Sequence, residues 1–523
     1  MNKTKKIILV STIVVFIITI AGGIFYGTKL TQKPPPIVEE KPTKIQSLPK
    51  IEKIRKFKID YDEIRNLSLS PNGQYIAIVY KKNNKYYVQI NDKTYGPYNN
   101  IYDDFNYPQF SNDGSKYALR FKKDNKYYVQ INDVIFGPYD YYNLYSDPKF
   151  SSDGSKYGWR FVKDNKYYVQ INDRVYGPYD SIFDYPTFSQ DGSKFVWCFM
   201  KDNKYYVQIN NKIYGPYDGF GYYILFAFSN DGSKYGWRFM KNNNYYIQIN
   251  EKVYGPYNYV GSLIFSNDSS KYGFSFVKDS QGYVQINDKI YGPYDEVNPP
   301  VFSNDGSKYG WRFKEDDKYY IQINDKIYGP YDAVDYYPTF SKDDSKYGWA
   351  FMKDIKNRQI YIQINDGIYG PYGPYDFGEE DTGFPDVVFS NNMSKYGWWF
   401  RKNNKWYVQI NNKKYGPYDG DSTFPPVFSN DGSKYGWRFE KDNKYYIQIN
   451  DETYGPYDYA SGPKFSNDSS KYGFEFEKDK KDYIQINYKT YGPYDYATFT
   501  FTKDNKAYIA YIYGNELVIE EVE

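Results

Sequence analysis

The sequence repeats one unit of about 40 residues along most of its length. The most regular element of the unit is Tyr-Gly-Pro-Tyr, with one Phe-Gly-Pro-Tyr variant beginning at Phe136, and successive copies lie about 37 to 46 residues apart. Its other copies begin at Tyr95, Tyr176, Tyr214, Tyr254, Tyr291, Tyr328, Tyr369, Tyr415, Tyr454 and Tyr491. A period of this length containing four strand-like segments is typical of the blades of a β-propeller.

One unit, residues 228–258, illustrates the predicted blade. Ser229-Asn230-Asp231-Gly232 is a turn, because Asp-Gly suits positive φ. Lys234 to Phe239 alternates aromatic residues with smaller or polar ones, as a strand does, and a second turn at 241–244 leads to a third strand at Tyr245 to Ile249. A fourth strand begins at Val253, and its Gly-Pro places it at a sheet edge, since Pro cannot donate to a ladder.

The two ends of the repeat region predict how the array closes. Thr498 to Glu523 contains three strands of a twelfth unit but lacks Tyr-Gly-Pro-Tyr, and residues 57–64 resemble the fourth-strand segment 289–297. The N-terminal segment therefore provides the missing strand of the last blade, which removes free edges. The predicted fold is an all-β propeller of about twelve four-stranded blades. Two six-bladed rings are favoured, because small rings fill their centres more easily; one large ring is the alternative.

The turn Ser70-Pro71-Asn72-Gly73, followed by Gln74-Tyr75-Ile76-Ala77, resembles the Ser-Pro-Asp-Gly turn of TolB-like, WD-repeat-like bacterial propellers. The resemblance extends over some 450 residues of repeats. It implies four-stranded blades and a protein-binding role in the cell envelope, without a specific partner. Sister turns such as Ser303-Asn304-Asp305-Gly306 depart from the family pattern by replacing Pro with Asn.

The N-terminal region predicts a membrane anchor. Residues 1–6 carry Lys3, Lys5 and Lys6 and are expected to be cytoplasmic; residues 7–26 are uncharged and long enough for one transmembrane helix. Residues 27–50 form a Pro-rich linker, and 51–523 is the propeller repeat region. The alternatives are a cleaved signal peptide and a buried core helix. With the anchor or the signal peptide, the repeat region lies outside the cytoplasm, at the cell membrane.

Composition removes several kinds of chemistry. The 523 residues include no His and one Cys, which excludes His-dependent catalysis, His-ligated metals, Cys-cluster zinc sites and an intramolecular disulfide. The net charge of +3 argues against nucleic-acid binding. No cofactor, metal site or catalytic residue is predicted. Cys198 stands where several repeats have Arg, so it is expected to be a packed variant of that position.

Residues that recur in every unit are expected to serve packing or turns, because a single active site needs one copy. Seven Trp share one position, which favours packing between blades over sugar binding, and Trp406 is interpreted in the same way: Trp159, Trp197, Trp237, Trp311, Trp349, Trp398 and Trp437. Five Arg share another and are expected to pair with neighbouring blades or to reach solvent: Arg120, Arg160, Arg238, Arg312 and Arg438. The Asp residues after the motif are expected to be turn residues: Asp140, Asp180, Asp218, Asp295, Asp332, Asp376, Asp419, Asp458 and Asp495.

The connections after Tyr-Gly-Pro-Tyr vary in length and content, as binding loops on a rigid scaffold do. The largest is the insertion Gly373 to Asp386, whose Glu379, Glu380, Asp381 and Asp386 suit a cation or a basic partner, with a solvated loop as the default interpretation. The sequence thus predicts a non-catalytic, membrane-anchored protein that binds an envelope protein or glycan. The alternatives are a sialidase-like propeller enzyme, which would use several Arg to hold a carboxylate, and a structural cell-surface array.

Overall fold

Twelve antiparallel β-sheets make up the described part of the chain. This computed structural model describes residues 54–98, 107–140, 147–221, 226–335, 337–354, 356, 358–372, 387–402, 405–419 and 425–522. The first strand, β1 (Ile54–Lys58), belongs to the last blade. The strands of blades 1 to 4 follow it in chain order: β2 (Glu63–Leu69), β3 (Ile76–Lys82), β4 (Lys85–Ile90), β5 (Lys93–Tyr98); β6 (Gln109–Phe110), β7 (Tyr117–Lys123), β8 (Lys126–Ile131), β9 (Val134–Tyr139); β10 (Lys149–Phe150), β11 (Tyr157–Lys163), β12 (Lys166–Ile171), β13 (Arg174–Tyr179); β14 (Ser181–Ile182), β15 (Thr187–Phe188), β16 (Phe195–Lys201), β17 (Lys204–Ile209), β18 (Lys212–Tyr217).

Blades 5 to 8 repeat the same order, and in several blades the innermost strand is divided into two short pieces that pair with the same neighbour. Their strands are β19 (Phe226–Phe228), β20 (Tyr235–Lys241), β21 (Asn244–Ile249), β22 (Lys252–Tyr257); β23 (Tyr259–Val260), β24 (Ile264–Phe265), β25 (Tyr272–Lys278), β26 (Gln281–Ile286), β27 (Lys289–Tyr294); β28 (Glu296–Val297), β29 (Val301–Phe302), β30 (Tyr309–Glu315), β31 (Lys318–Ile323), β32 (Lys326–Tyr331); β33 (Ala333–Val334), β34 (Thr339–Phe340), β35 (Tyr347–Met352), β36 (Ile360–Ile364), β37 (Gly367–Tyr372).

Blades 9 to 12 complete the array, and the predicted four-stranded blade is confirmed throughout it. Their strands are β38 (Val388–Phe389), β39 (Tyr396–Lys402), β40 (Lys405–Ile410), β41 (Lys413–Tyr418); β42 (Val427–Phe428), β43 (Tyr435–Lys441), β44 (Lys444–Ile449), β45 (Glu452–Tyr457); β46 (Tyr459–Ala460), β47 (Lys464–Phe465), β48 (Tyr472–Lys478), β49 (Lys481–Ile486), β50 (Lys489–Tyr494); β51 (Tyr496–Phe501), β52 (Ala507–Tyr513), β53 (Glu516–Val522).

The predicted closure by the N-terminal segment is confirmed. β1 pairs antiparallel with β53 and forms the outer edge of the last blade, whose strand order is β1-β53-β52-β51. The segment is also hydrogen-bonded to blade 1: Arg55 Nη1 donates to the Gln74 carbonyl at 2.7 Å, and Gln89 Nε2 donates to the Lys58 carbonyl at 3.0 Å. The first and last units are thereby held together by strand pairing and by hydrogen bonds across the interface.

The twelve blades form one ring, so the preference for two six-bladed rings is wrong. Buried clusters join each blade to the next, including blades 6 and 7, where Val284 and Ile286 pack against Trp311. Another cluster joins blade 12 to blade 1, with Tyr508 among the side chains that bury Ile78. Two six-bladed rings would need contacts between blades 6 and 1 and between blades 12 and 7 instead. Each interface is built from aromatic and aliphatic side chains, so the core is a circular series of similar interfaces.

The predicted transmembrane helix, residues 7–26, and the linker, residues 27–50, lie outside the described residues. Among residues 54–522, apart from the gaps given above, no helix has the length and apolar character to span a membrane.

Candidate functional site

The blade topology gives the ring two different faces. The turns between the first and second strands of each blade, and between the third and fourth, lie on one face, which we call the turn face. The turns between the second and third strands lie on the opposite face, which we call the loop face, and the connections from one blade to the next begin and end there. The inter-blade connections extend from residues 99–108 and 373–387 at the long end to single residues such as Asp180 between β13 and β14. Variable surface is therefore concentrated on the loop face.

The Tyr-Gly-Pro-Tyr motif holds adjacent blades together. Its second Tyr lies against the next blade, as Tyr179 does on Phe199 with ring centroids 4.1 Å apart. Its first Tyr exchanges a hydrogen bond with a Tyr of the next blade in most units, as between the Tyr291 and Tyr309 hydroxyls at 2.7 Å. The same pairing joins Tyr95 to Tyr117, Tyr214 to Tyr235, Tyr254 to Tyr272, Tyr328 to Tyr347, Tyr415 to Tyr435 and Tyr454 to Tyr472. The motif thus packs neighbouring blades together, as expected for residues that recur in every unit.

The seven repeated Trp confirm the packing interpretation. Each is at most 1% exposed and lies between blades, as Trp197 does with its ring 4.9 Å from that of Tyr176 in the preceding blade. Trp406 lies elsewhere, tilted against Trp399 at 4.7 Å. The repeated Trp rings are therefore unavailable to stack on a sugar.

The repeated Arg reach the next blade rather than one another. Nη1 of Arg238 donates to the Val260 carbonyl at 2.7 Å, and Nη1 of Arg438 donates to the Ala460 carbonyl at 2.9 Å. Arg160 and Arg312 make the corresponding bonds to Ile182 and Val334, and Arg120 is 4% exposed. These Arg are distributed around the ring, so they do not assemble the shared carboxylate-binding cluster that a sialidase-like site would need.

The Asp residues after the motif connect neighbouring blades at the loop face. Asp180 pairs with Lys166 of its own blade at 2.7 Å and accepts the amide of Asp202, in the next blade, at 2.8 Å. The Lys166 ammonium lowers the pKa of Asp180, and the Asp202 amide adds to that effect. Equivalent ion pairs hold Asp140, Asp218, Asp332, Asp419, Asp458 and Asp495. Asp295 instead accepts the amide of Asp316, whereas Asp376 lies outside the described residues.

The Ser-Asn-Asp-Gly segments form the predicted turns, on the turn face. In one of them, Asp305 Oδ1 accepts the Ser303 hydroxyl at 2.9 Å and the Ser307 amide at 2.8 Å. Hydrogen bonds from Ser307 and Ser303 lower the pKa of Asp305 to about 2. Lys271 Nζ then reaches the Gly306 carbonyl from the preceding blade at 2.7 Å. Their polar groups are engaged in holding the ring together.

The predictions for Cys198 and for the insertion 373–386 have different outcomes. Cys198 is fully buried at the position where sister blades have Arg, and burial raises the pKa of its thiol, so the packed interpretation is confirmed. The insertion 373–386, with Glu379, Glu380, Asp381 and Asp386, lies outside the described residues. Within the described ranges, no three His, Cys, Asp or Glu side chains come together in a way that could hold a metal ion.

Blade 11 departs from the repeat on the loop face. Glu475 stands where other blades have Arg, and Asp482 stands where others have Tyr. Glu475 accepts the Thr498 hydroxyl of blade 12 at 2.8 Å, and Asp482 accepts the Ala497 amide at 3.0 Å. Burial, opposed by the Ala497 amide and reinforced by the nearby Glu477 and Glu475, raises the pKa of Asp482 to about 6. This interface therefore contains carboxylates in a poorly solvated place.

Replacing Asp482 with Asn is expected to stabilise the protein at neutral and alkaline pH. The raised pKa means that the folded state favours the protonated carboxyl, so the contribution of Asp482 to stability is most favourable below pH 4 and is lost as pH rises through about 6. Asn keeps the oxygen that accepts the Ala497 amide but carries no charge. At pH 8 the variant should gain about 1–2 kcal/mol in free energy of unfolding, after allowing for partial solvation, and near pH 4 almost nothing. Urea unfolding of both proteins at the two pH values measures this, and an equal difference at both would contradict it.

Comparison with known proteins leaves the family open. The sequence matches no protein-family model. It also matches no curated protein. Among solved structures, the eukaryotic initiation factor is 13% identical and is similar over 58% of this chain and 86% of that chain, with a TM-score of 0.30. The Dos1 propeller is 11% identical over 56% of this chain and 90% of that chain, with a TM-score of 0.26. With TM-scores this low, neither structure supports an inference about what this chain does. The propeller assignment rests on the twelve blades themselves.

Proposed function

We propose that this protein is a non-catalytic binding ring of the cell envelope. In this proposal residues 7–26 anchor it in the membrane, the Pro-rich residues 27–50 separate the ring from the lipid surface, and the ring recognises a protein or glycan outside the cytoplasm. A resemblance to TolB-like propellers, carried by the Ser-Pro-Asn-Gly turn at residues 70–73, supports an envelope role.

The observation that carries the binding proposal is the contrast between repeated and variable positions. The repeated Tyr, Trp, Arg and Asp side chains are engaged between blades, as shown by Tyr291, Trp197, Arg438 and Asp180. The inter-blade connections vary in length and composition, and the strands that they join begin and end on the loop face. Exposed aromatic rings accompany them, among them Phe183 at 39%, Tyr259 at 46% and Tyr459 at 39% exposure. A rigid ring that presents variable loops on one face is suited to recognition.

Two experiments test the two parts of the proposal. For the anchor, cells that express the full chain or a chain lacking residues 1–50 are fractionated, and only the full chain should sediment with the membranes. Protease added to spheroplasts should digest the full chain. Recovery of the full chain in the soluble fraction, at its uncleaved mass, contradicts anchoring.

For the binding face, residues 99–106 and 373–386 are each replaced by the shorter sequence of residues 295–300, which joins β27 of blade 6 to β29 of blade 7 and includes β28. The matched control exchanges turn residues on the opposite face, such as Asn324-Asp325, for Asn210-Asn211. After cross-linking in the envelope, the loop variant should lose partners that the turn variant retains. Equal recovery of partners by the two variants contradicts recognition through the loop face.

A further inference from the structure

Arg238, in β20 of blade 5, is a buried cation without a counter-ion. Arg238 is only 3% exposed. Its guanidinium lies between the rings of Tyr245 and Tyr259, whose centroids are 5.3 Å and 5.2 Å away. Nη1 donates to the Val260 carbonyl, but the buried Nε has no hydrogen-bond partner. A buried N–H of a charged group that is left unpaired costs free energy. A ligand that accepts a hydrogen bond from Nε would therefore gain considerable binding free energy.

A sister interface shows what the missing partner would be. In blade 7, Arg312 donates from Nε to the Asn298 side-chain oxygen at 3.0 Å, and Asn298 belongs to the connection that enters the same blade. The residue at that position in blade 5 is Gly221, and the whole connecting sequence 219–225, GFGYYIL, contains no carboxylate or amide side chain. Near Arg160 of blade 3 there is a carboxylate, that of Asp184 between β14 and β15 of blade 4; burial raises its pKa, and the Arg160 charge is close enough to oppose that rise. Blade 5 has Arg238 without either kind of acceptor.

The electrostatic situation of Arg238 agrees with this geometry. Burial lowers the pKa of its guanidinium to about 10, and the only opposing influences are the hydroxyls of Tyr259 and Tyr245. The group is therefore still charged at neutral pH. The edge of a guanidinium formed by Nε and Nη2 is the edge that binds a carboxylate with two parallel hydrogen bonds.

We propose that the Nε–Nη2 edge of Arg238 binds the carboxylate of an acidic side chain from a partner protein at the interface of blades 5 and 6. This rests on the proposed binding function and identifies one place on the loop face where it occurs. Tyr259, which stacks on the guanidinium, is 46% exposed, so the site lies just below the surface. The buried cluster of this interface includes Val260 and Leu263, and Tyr245 packs against it. An Asp or Glu flanked by apolar residues suits this cluster better than a sugar acid, whose hydroxyls would lose their hydrogen bonds to water.

The test measures binding of defined carboxylates to the purified full chain in detergent. The probes are the peptide acetyl-Leu-Glu-Leu-amide, its Gln counterpart, sodium acetate at constant ionic strength, and glucuronate, each titrated calorimetrically. The Glu peptide should bind saturably and at least tenfold more tightly than the Gln peptide, and acetate should compete with it. The measurement requires no envelope partner and no membrane, so its failure is distinguishable from failure of the anchor or of the loop-face experiment.

Three variants locate the site. Arg238→Met should weaken the Glu peptide at least tenfold. Gly221→Asp keeps Arg238 but supplies an internal carboxylate where blade 7 has Asn298; φ is +78° at Gly221, which Asp tolerates better than most residues, although the new Cβ comes within 3.1 Å of the Tyr245 ring. This variant should also lose the peptide while melting cooperatively. Arg312→Met is the matched control and should bind within twofold of the unaltered protein.

Several results would overturn the proposal. They are absence of saturable binding, equal affinity for the Glu and Gln peptides, and unchanged affinity in either Arg238→Met or Gly221→Asp. Tighter binding of glucuronate than of the Glu peptide would overturn the assignment to a protein side chain.

Discussion

A chain that begins at Glu63 is expected to be much less stable than one that begins at Ile54. The shorter chain lacks β1, whose five residues pair with β53, and it also loses Ile59, which is 4% exposed in the cluster that joins blades 12 and 1. It further loses the bonds from Arg55 to the Gln74 and Gly73 carbonyls of blade 1. At about 1 kcal/mol for each net hydrogen bond, together with the buried apolar surface, the loss in free energy of unfolding should be about 4 kcal/mol or more.

The loss should also change the association state. Without β1, the seven-residue strand β53 becomes an open edge that carries Leu517, Val518 and Ile519, and such an edge recruits strands from other molecules. Urea unfolding and size-exclusion chromatography with light scattering would show both effects. A matched control moves residues 52–62 to the C-terminus behind a two-residue Asn-Asp turn, as found between the outer strands of other blades, and should restore the unfolding midpoint. Equal stability of the chains beginning at 54 and at 63 would show that β1 does not close the ring.

The repeat and its closure could be predicted because both depend on local patterns. The four strands of a blade follow from alternation and turn residues within 40 positions, and the missing fourth strand of the last unit was visible in the likeness of residues 57–64 to 289–297. The number of rings could not be predicted in the same way. The interface of blades 6 and 7, where Val284 meets Trp311, resembles others such as that of blades 9 and 10, where Val408 meets Trp437. Residue types alone therefore do not reveal which blade packs against blade 6.

The candidate site was less accessible from sequence, since packing and binding residues look alike in a repeat. Arg238 aligns with Arg312 and Arg438, and all three were expected to pair with neighbouring blades or to reach solvent; the hydrogen bonds to the next blade confirm the first. Arg238 differs from Arg312 because Gly221 offers no side-chain acceptor. This difference can be interpreted only from the structure, where Asn298, at the corresponding position, accepts a hydrogen bond from Arg312 Nε. The departures in blade 11, Glu475 and Asp482, could have been found by aligning the units, but their contact with blade 12 requires the strand register.

The second large effect is expected from replacing one of the repeated Trp. Trp311 is fully buried, and its ring lies 4.8 Å from that of Tyr291 in the preceding blade. Truncation to Ala leaves a cavity between blades 6 and 7 that the rigid neighbouring strands fill poorly. The free energy of unfolding should fall by about 3–5 kcal/mol, as is typical for large aromatic side chains in cores. Urea unfolding of the full chain, followed by Trp fluorescence and by circular dichroism, measures the change.

Trp311→Phe is the matched control, and the chain itself supplies the reason. Blades 6 and 11 carry Phe274 and Phe474 at the corresponding position, both fully buried, so a Phe ring fits the interface. The indole Nε1 of Trp311 has no hydrogen-bond partner, so its removal leaves no acceptor unpaired. The Phe variant should therefore lose less than about 1.5 kcal/mol, as size-tolerant apolar exchanges do. If the Phe and Ala variants lost the same amount, the Trp would act through its indole N–H rather than through packing, and the interpretation of the repeated aromatic residues as inter-blade core would be wrong.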